Sequence, residues 1–489
     1  MLLNMQAIVL AAGKSTRLNT GNTKLIEKIC GQEIILYPLA ILQDLAIPTT
    51  VIVGFQKNKI KSVIEKKYPD SITYLEQEEI NGTAGALRLL QSRFQHSHIL
   101  VMKADLPLIS PDIIESLYAQ HTATRAAVSL VTAHNGDPSG FSYSRVLKKG
   151  AKISIRKAHE LSIDEIQHYC CVNAGIYLFS RSFLEKELDK IKKNAVTHEF
   201  HISDLVNIAT ENGYTVTTTI VPFDQIRGVN THQELWAIEQ IKRSELIRYW
   251  MDRGVRFSSA QTVHMDLNIT IGSGTFIGSS VHLLSGTRIG TECTIHPFTI
   301  IDNSSIGDAA TVHPHSVIRN ATIGAHSNVG PFAHIQEEST IGNNCSIGNF
   351  VETKRVSIGD NTKAKHLSYL GDAQIGSNVN IGAGTITCNY DGTKKHITHI
   401  KDNVFIGTNN SLVAPVTIEQ NSFTAAGSVI THNVPENSLA IARARQVNKE
   451  QYKKKSFESH EPAQRIESKE SVSFIGAYKT NNDAPTTDQ

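Results

Sequence analysis

The sequence predicts a doubly wound α/β sheet, Rossmann-like and mostly parallel, followed by a left-handed parallel β-helix of hexapeptide repeats. Three features of the 489-residue chain predict it. Short β-branched runs alternate with amphipathic stretches up to about residue 230, a charged helical pattern follows, and from about residue 255 an aliphatic residue returns every six positions.

In the first part the strand candidates are Ala7-Ile8-Val9-Leu10, Thr50-Val51-Ile52-Val53, Ile99-Leu100-Val101-Met102 and Val128 to Val131. Helical stretches such as Ile34 to Leu45 separate them, and Ser110-Pro111-Asp112 offers an N-cap serine with proline at the first helical position. Ligands of such sheets bind beyond the carboxyl ends of the strands. Gln233 to Arg248 reads as a connecting helix whose flanking Trp250 and internal Trp236 are expected to pack against neighbouring domains.

In the second part, Ile271, Ile277, Leu283, Ile289, Ile295 and Ile301 share one phase. After a one-residue slip come Ile306, Val312 and Ile318, and after another Ile323, Val329, Ile335, Ile341 and Ile347. Period six is neither helical nor a plain alternation; it marks a parallel β-helix in which three hexapeptides make a triangular coil. The aliphatic residues would stack into one buried column, glycines such as Gly272 and Gly324 would permit the tight corners, and the preceding domain with its helix would cover one open end. The expected organisation is a nucleotide-handling domain over 1–230, a linker helix over 231–253, the β-helix over 254–446 and a polar tail without fixed fold over 447–489.

A net charge of +2 makes no global case for nucleic-acid or membrane binding, and no segment is apolar for long enough to span a bilayer. Six scattered cysteines without a CxxC pair argue against a metal knuckle or disulfide framework and fit a reducing, cytoplasmic setting; Cys170 and Cys171 read as small buried hydrophobes. The first residues pass from a short apolar run into a glycine loop, so no signal peptide is expected there.

That loop, Leu10-Ala11-Ala12-Gly13-Lys14-Ser15-Thr16-Arg17, follows the first strand directly, with Lys24 downstream. Small residues let backbone N–H groups approach phosphate, and Arg17 and Lys24 can neutralise it. Asp105 ends a strand, where a carboxylate suits Mg²⁺ beside substrate phosphates, and Asn230 offers a second oxygen ligand. Gln77 with Gly82-Thr83 forms a polar loop able to read a base edge. In the β-helix the repeat is interrupted by Lys363-Ala364-Lys365-His366-Leu367-Ser368-Tyr369-Leu370-Gly371-Asp372 and by a second polar stretch from Asn380 to Gly392. His366 can take a proton from an attacking amine near neutral pH.

Together these segments resemble the sugar-1-phosphate nucleotidyltransferases. With the β-helix behind them, they are similar to the bifunctional bacterial N-acetylglucosamine-1-phosphate uridyltransferase/glucosamine-1-phosphate acetyltransferases, over roughly residues 5–446. The resemblance implies an envelope-precursor enzyme that transfers UMP from UTP to N-acetylglucosamine-1-phosphate and acetylates glucosamine-1-phosphate with acetyl-coenzyme A. By that resemblance Leu10, Ala11, Ala12, Gly13 and Lys24 hold nucleotide phosphates, and Gln77, Gly82 and Thr83 contact uridine. Asp105 and Asn230 bind Mg²⁺, Asn173 and Gly140 lie at the sugar nucleotide, and Lys24 and Arg17 assist catalysis. His366 becomes the general base, with Lys354, Tyr369, Asn380 and Lys395 at the amino-sugar phosphate. Ala383, Asn389, Tyr390, Thr408, Ala426 and Arg443 become the acetyl-coenzyme A residues, and the assembly a homotrimer.

Two stretches depart from the family pattern. Ser142-Tyr143-Ser144-Arg145 stands for a GYGR-type turn, with Gly140 just before it. In Gly330-Pro331-Phe332-Ala333-His334-Ile335-Gln336, Gln336 stands where the family carries a phosphate-binding arginine. Glutamine cannot make that bidentate, charge-assisted contact. Two further readings follow: a nucleotidyltransferase whose β-helix is mainly a trimerisation scaffold, and an enzyme for another amino sugar.

Overall fold

A computed structural model describes residues 4–14, 18, 21–134, 143–150, 152–157, 160–162, 165 and 171–452. The chain divides into two compact units, Met1–Ala442 and Arg443–Gln489, and every element described below lies in the first.

The sheet contains β1 (Met5–Ala11), β2 (Thr49–Val53), β3 (Thr73–Glu76), β4 (His98–Lys103), β5 (Val128–His134), β6 (Arg145–Lys149), β7 (Lys152–Arg156), β8 (Cys171–Ser180) and β9 (Val216–Val221). Its order is β9-β5-β8-β4-β1-β2-β3, with β6 and β7 attached to β8. β1 lies between β2 and β4 and parallel to both, so that Val9 sits opposite Val51 and Met102. β8 enters antiparallel between β4 and β5. Nearly every residue of β1 is buried, as expected of a strand covered on both faces. Val9, Val51 and Leu100 face one core with α1 (Leu36–Asp44), α2 (Lys57–Lys67) and α4 (Pro111–Ala123). Ile8, Ile52 and Val101 face the other with α3 (Thr83–Arg88), α5 (Arg181–Glu187) and α6 (Asp204–Glu211). Ser110 and Pro111 occupy the expected N-cap and first helical positions, although the Ser110 side chain makes no capping bond.

The connecting helix is α7 (His232–Met251). Thr231 and Glu234 form a reciprocal capping box: Glu234 N–H donates to Thr231 Oγ1 at 3.1 Å and Thr231 N–H to Glu234 Oε2 at 3.0 Å. Ile247 belongs to the β-helix core and Trp250 packs against it, so the helix covers the first coil as anticipated. Trp236 corrects the expectation, being 65% exposed. Ile238 turns inward from this helix, and a residue two positions earlier points roughly 200° round the axis.

Beyond α7 the chain winds into short parallel strands. Ile277, Ile295, Val312, Val329, Ile347, Ala364, Ile381, Ile406 and Thr424 stand in register, one above the next. The step from Ile381 to Ile406 is longer because residues 389–396 loop out, closed by a bridge between Tyr390 and Lys395. On a neighbouring face Ile318 stacks between Ile301 and Ile335 and is fully buried. Ile318→Ala is expected to cost about 2–5 kcal/mol and to lower the midpoint of the β-helix transition in calorimetry.

The glycines play a different part from the one expected. Gly272 and Gly324 do not have positive φ; a Cβ on either would lie 2.5 Å from backbone of the next coil. Close stacking demands them, while non-glycine residues turn the corners. Phe298, His315, Phe332 and Phe350 all have φ between 54° and 60°. Their rings form an exposed ladder with centroid spacings of 5.0, 4.9 and 5.3 Å, followed one coil later by exposed Leu367. The stacked rings offset the cost of a left-handed backbone at bulky residues. Cys30, Cys293 and Cys345 are buried and free; Cys171 is only half-buried, and Cys170 lies outside the described residues.

Candidate active sites

β1 and β4 are adjacent and parallel, so their carboxyl ends place Ala12-Gly13-Lys14 beside Ala104-Asp105. Around them opens a cavity of about 320 Å³. Leu10, Ala11, Ala12, Gly13, Lys24, Gln77, Gly82, Thr83, Asp105 and Asn230 all line it, as the sequence reading requires. Lys14, from the same loop, and Lys103 and Glu199 also line it, none of them given a role from the sequence. Lys103 ends β4 two residues before Asp105, so the strand-end rule that identified Asp105 also points to it.

At the floor, the Lys24 ammonium forms a short ion pair with Asp105 and donates to Asn230 Oδ1 at 3.0 Å. Two oxygen donors thus converge on one cation. Burial opposes ionisation of Asp105, but Lys24 and Lys103 outweigh it and hold the carboxyl below its ordinary range. Asp105 Oδ1 is buried with no hydrogen-bond partner among the described residues. A carboxylate oxygen left with free lone pairs next to an amide oxygen is a hard-cation donor set, so these residues fit a divalent metal. Gln77 spends its amide hydrogens on Asn81 Oδ1 at 3.0 Å and Gly82 O at 3.2 Å, which leaves its oxygen as an acceptor facing the cavity.

Asn173 does not line this cavity. Its amide donates to Tyr177 Oη at 2.6 Å, and its oxygen accepts from Gly175 N–H at 3.1 Å. Arg145 of the altered turn is buried and donates to Tyr143 O at 2.8 Å. Arg17 and Gly140 lie outside the described residues.

In the β-helix, His366 ends the strand Lys363–His366 at a corner. Its Nδ1 lies 2.8 Å from Asn349 Oδ1, the residue directly paired with it in the preceding coil. An Nδ1–H donated to that carbonyl leaves Nε2 with the lone pair a base requires. Register carries the position onward. Ala364, Ile381, Ile406 and Thr424 are stacked partners, so the residues two places later, His366, Ala383, Thr408 and Ala426, form a parallel column. Below the histidine that column holds only short side chains over three coils.

Lys354, Tyr369 and Asn389 share the adjacent face. Asn389 donates to Tyr369 Oη at 3.4 Å and to Asp372, which Arg355 grips through two bonds of 2.6 and 2.9 Å. Lys354 is already engaged, with Glu337 at 2.8 Å and Gln336 Oε1 at 3.3 Å, while Gln336 in turn donates to Glu352. Asn380 pairs with Lys363, at the opposite end of that strand from His366. Lys395 lies in the outward loop, and Arg443 opens the second unit. One chain therefore does not bring all the proposed sugar residues together.

Comparison with known proteins agrees with both architectures. The family model described as MobA-like NTP transferase domain matches residues 7–186. Bacterial transferase hexapeptide (six repeats) matches 268–303 and 320–355, and hexapeptide repeat of succinyl-transferase matches 398–432. The chain is 39% identical over 448 residues to Bifunctional protein GlmU of Thermosipho melanesiensis, covering 92% of this chain and 97% of that protein. It is 37% identical over 462 residues to Bifunctional protein GlmU of Exiguobacterium sibiricum, covering 92% and 100%. The corresponding protein of Thermodesulfovibrio yellowstonii is 37% identical over 447 residues, covering 91% and 98%.

Proposed function

The chain belongs to the GlmU family of bifunctional proteins, and from that premise we propose how its two sites divide the work. It is a bifunctional transferase, with nucleotidyl transfer in the α/β half and acetyl transfer on the β-helix. The observation that carries the reading is the presence of two separate constellations: the cation-gathering pair Asp105 and Asn230 in one cleft, and His366 above a column of small residues elsewhere.

In the α/β half, a phosphate oxygen of N-acetylglucosamine-1-phosphate attacks the α-phosphorus of UTP. The new P–O bond forms as the bond to the bridging oxygen breaks, and pyrophosphate leaves with that electron pair. Backbone N–H groups after β1, together with Lys24 and Arg17, balance the triphosphate charge, and Gln77 Oε1 accepts the uracil N3–H. Asp105 and Asn230 would hold Mg²⁺, which when bound neutralises phosphate charge. Asn173, which does not line the cavity, and Gly140 are assigned to the sugar nucleotide by the family resemblance alone.

On the β-helix, His366 Nε2 takes a proton from the glucosamine amine as the nitrogen attacks the thioester carbonyl. The C–N bond forms, the C–S bond breaks, and the coenzyme A sulfur leaves as thiolate. Ala383, Thr408 and Ala426 serve the pantetheine arm together with Asn389 and Tyr390, and Arg443 is likewise assigned to acetyl-coenzyme A. Lys354, Tyr369, Asn380 and Lys395 serve the amino-sugar phosphate. Because Asn380 stands away from the others within one chain, and an apolar ladder lies exposed beside His366, the working form proposed is a homotrimer with sites shared between copies. Asn349 positions the base, and Asn349→Ala is expected to slow acetylation about tenfold, the worth of one hydrogen bond to a charged imidazolium, without moving uridylylation.

One observation favours a second acceptor. Lys354 is held by Glu337 and Gln336, so less positive charge is free for a phosphate. Purified protein mixed with UTP and N-acetylglucosamine-1-phosphate should release pyrophosphate. Mixed with acetyl-coenzyme A and glucosamine-1-phosphate, it should release free thiol. Thiol release with glucosamine but not with its 1-phosphate would transfer the acetyl site to the second reading.

A further inference from the structure

The nucleotide cleft holds one charge that the uridylyl transfer described above does not use. Glu199 lines the cavity together with Asp105 and the cations Lys14, Lys24 and Lys103. A carboxylate beside a polyphosphate repels it, so its presence there calls for another contact. Asp105 has one, in its ion pair with Lys24. Glu199 makes no ion pair and no side-chain hydrogen bond among the described residues, and its half-buried side chain keeps its oxygens accessible. Arg88, whose guanidinium lies over the neighbouring Phe200 ring, is occupied by the carbonyls of Leu188, Asp189 and Ile191.

The position of Glu199 is fixed from both sides. Residues 194–202 are bound to the loop that carries Gly82 and Thr83. Ala84 N–H donates to Phe200 O at 2.9 Å, Phe200 N–H to Asn81 O at 2.8 Å, and Ile202 N–H to Thr83 Oγ1 at 3.0 Å. Gly82 has a φ of 103° and no room for a side chain: a Cβ there would lie 2.5 Å from Phe200 O and 2.9 Å from Glu199 Cβ. On the other side, Asn194 N–H donates to Glu199 O at 2.9 Å, and Asn194 Oδ1 accepts from the N–H groups of Val196 and Thr197, each at 2.9 Å. The backbone under this carboxylate is therefore set before a ligand arrives. It adjoins Gly82, whose carbonyl accepts from the Gln77 amide at 3.2 Å.

We propose that Glu199 is a specificity-determining residue of the uridylyl half, accepting hydrogen bonds from a pair of hydroxyl groups on the bound sugar nucleotide, on its ribose or on its hexose. The inference rests on the nucleotide reading of this cleft. Ionised phosphates have no hydrogen to donate and are repelled, and the uracil N3–H is met by Gln77, so hydroxyls are the donors that remain. A carboxylate is acceptor-only, and its two oxygens match a vicinal diol. The same charge that holds hydroxyls disfavours phosphate at this point, which separates the neutral part of the substrate from its charged part.

The probes are UTP, 2′-deoxy-UTP and UDP-N-acetylglucosamine, each titrated calorimetrically in magnesium buffer into the full-length protein and into Glu199→Ala. The substitution leaves the backbone bonds of residues 194–202 in place. UDP-N-acetylglucosamine should bind at least about tenfold more weakly to the variant, the worth of a hydrogen bond to a charged group. If the hydroxyls are those of the ribose, UTP should weaken as much, while 2′-deoxy-UTP should lose less. If they are those of the hexose, UTP should bind the variant as tightly as wild type or tighter, because a repelling charge is gone. Glu199→Gln, which keeps one acceptor oxygen without the charge, should lie between wild type and alanine. UDP-N-acetylglucosamine bound equally well or better by Glu199→Ala would overturn the proposal. So would an equal loss for all three ligands, which would mean that the change disturbs the Gly82 loop rather than a hydroxyl contact. A wild-type protein that binds neither UTP nor UDP-N-acetylglucosamine would overturn the nucleotide reading itself, and the proposal with it.

Discussion

The His366→Ala protein should retain pyrophosphate release at the wild-type rate and lose acetyl transfer by about 10²–10⁴-fold, the usual worth of a general base. An ammonium cannot attack a thioester, and the amine nitrogen becomes positively charged as it attacks. A group that removes that proton in the transition state therefore lowers the barrier directly. The imidazole is exposed at a corner, with Nδ1 held by Asn349 and Nε2 left for the substrate. Alanine removes the base without disturbing the buried column, because the inward residue of that strand is Ala364, not His366. The thiol-release assay separates loss of the base from loss of fold, since the variant should keep its β-helix thermal transition. His366→Gln, which retains the bond to Asn349 but no basic nitrogen, should be as inactive as alanine. Substantial activity in either variant would remove His366 from the catalytic role.

Period six was legible from the sequence because one large aliphatic residue in six points inward, accompanied two places earlier by a small buried residue such as Thr275, Cys293 or Ser327, and the column from Ile277 to Ile381 keeps those aliphatics in register. The glycines were misread because a sequence shows conformational freedom but not the distance to the next coil. The backbone conformation at the corners belongs instead to Phe298, His315, Phe332 and Phe350, residues that avoid it unless stacking compensates. Lys24 reaches Asp105 from a short 3-10 turn beyond the loop after β1; Asp105 and that loop were legible as candidates because strand ends collect ligands, and adjacency of β1 and β4 brings them together. Asn349 was not, although it stands directly over His366; two register slips had to be resolved before the pairing could be counted across a coil. Trp236 was misplaced because an aromatic in a helix declares its burial only once the buried face, here set by Ile238 and Ile247, is known. The sugar residues on the β-helix look contiguous as motifs, yet Asn380 and Lys354 emerge on different faces, which sequence proximity alone cannot distinguish.

Lys24→Ala should cut uridylylation by about 10²–10³-fold, the scale for removing one preorganised stabiliser of developing charge, and leave acetylation intact. Two effects act together. The triphosphate loses an ammonium aimed at it, and Asp105 loses the cation that does most to offset its burial. With a depressed pKa, the wild-type carboxylate stays charged until the pH falls through that lowered value, and its contribution to stability is present above the ordinary aspartate range. Without Lys24 the folded-state pKa rises, so the acid limb of the uridylylation profile should move to higher pH, and the midpoint of the α/β transition should lie below wild type at neutral pH but fall less on acidification. Lys103 remains nearby, so the shift should be partial rather than complete. Lys24→Arg restores the charge but changes its shape; it should return the acid limb toward wild type while recovering little of the rate, because a planar guanidinium cannot occupy the point between Asp105 and Asn230 as an ammonium does. An acid limb unmoved in Lys24→Ala would mean that Lys24 does not govern Asp105. Loss of both reactions with the assembly intact would mean that the two sites are not independent.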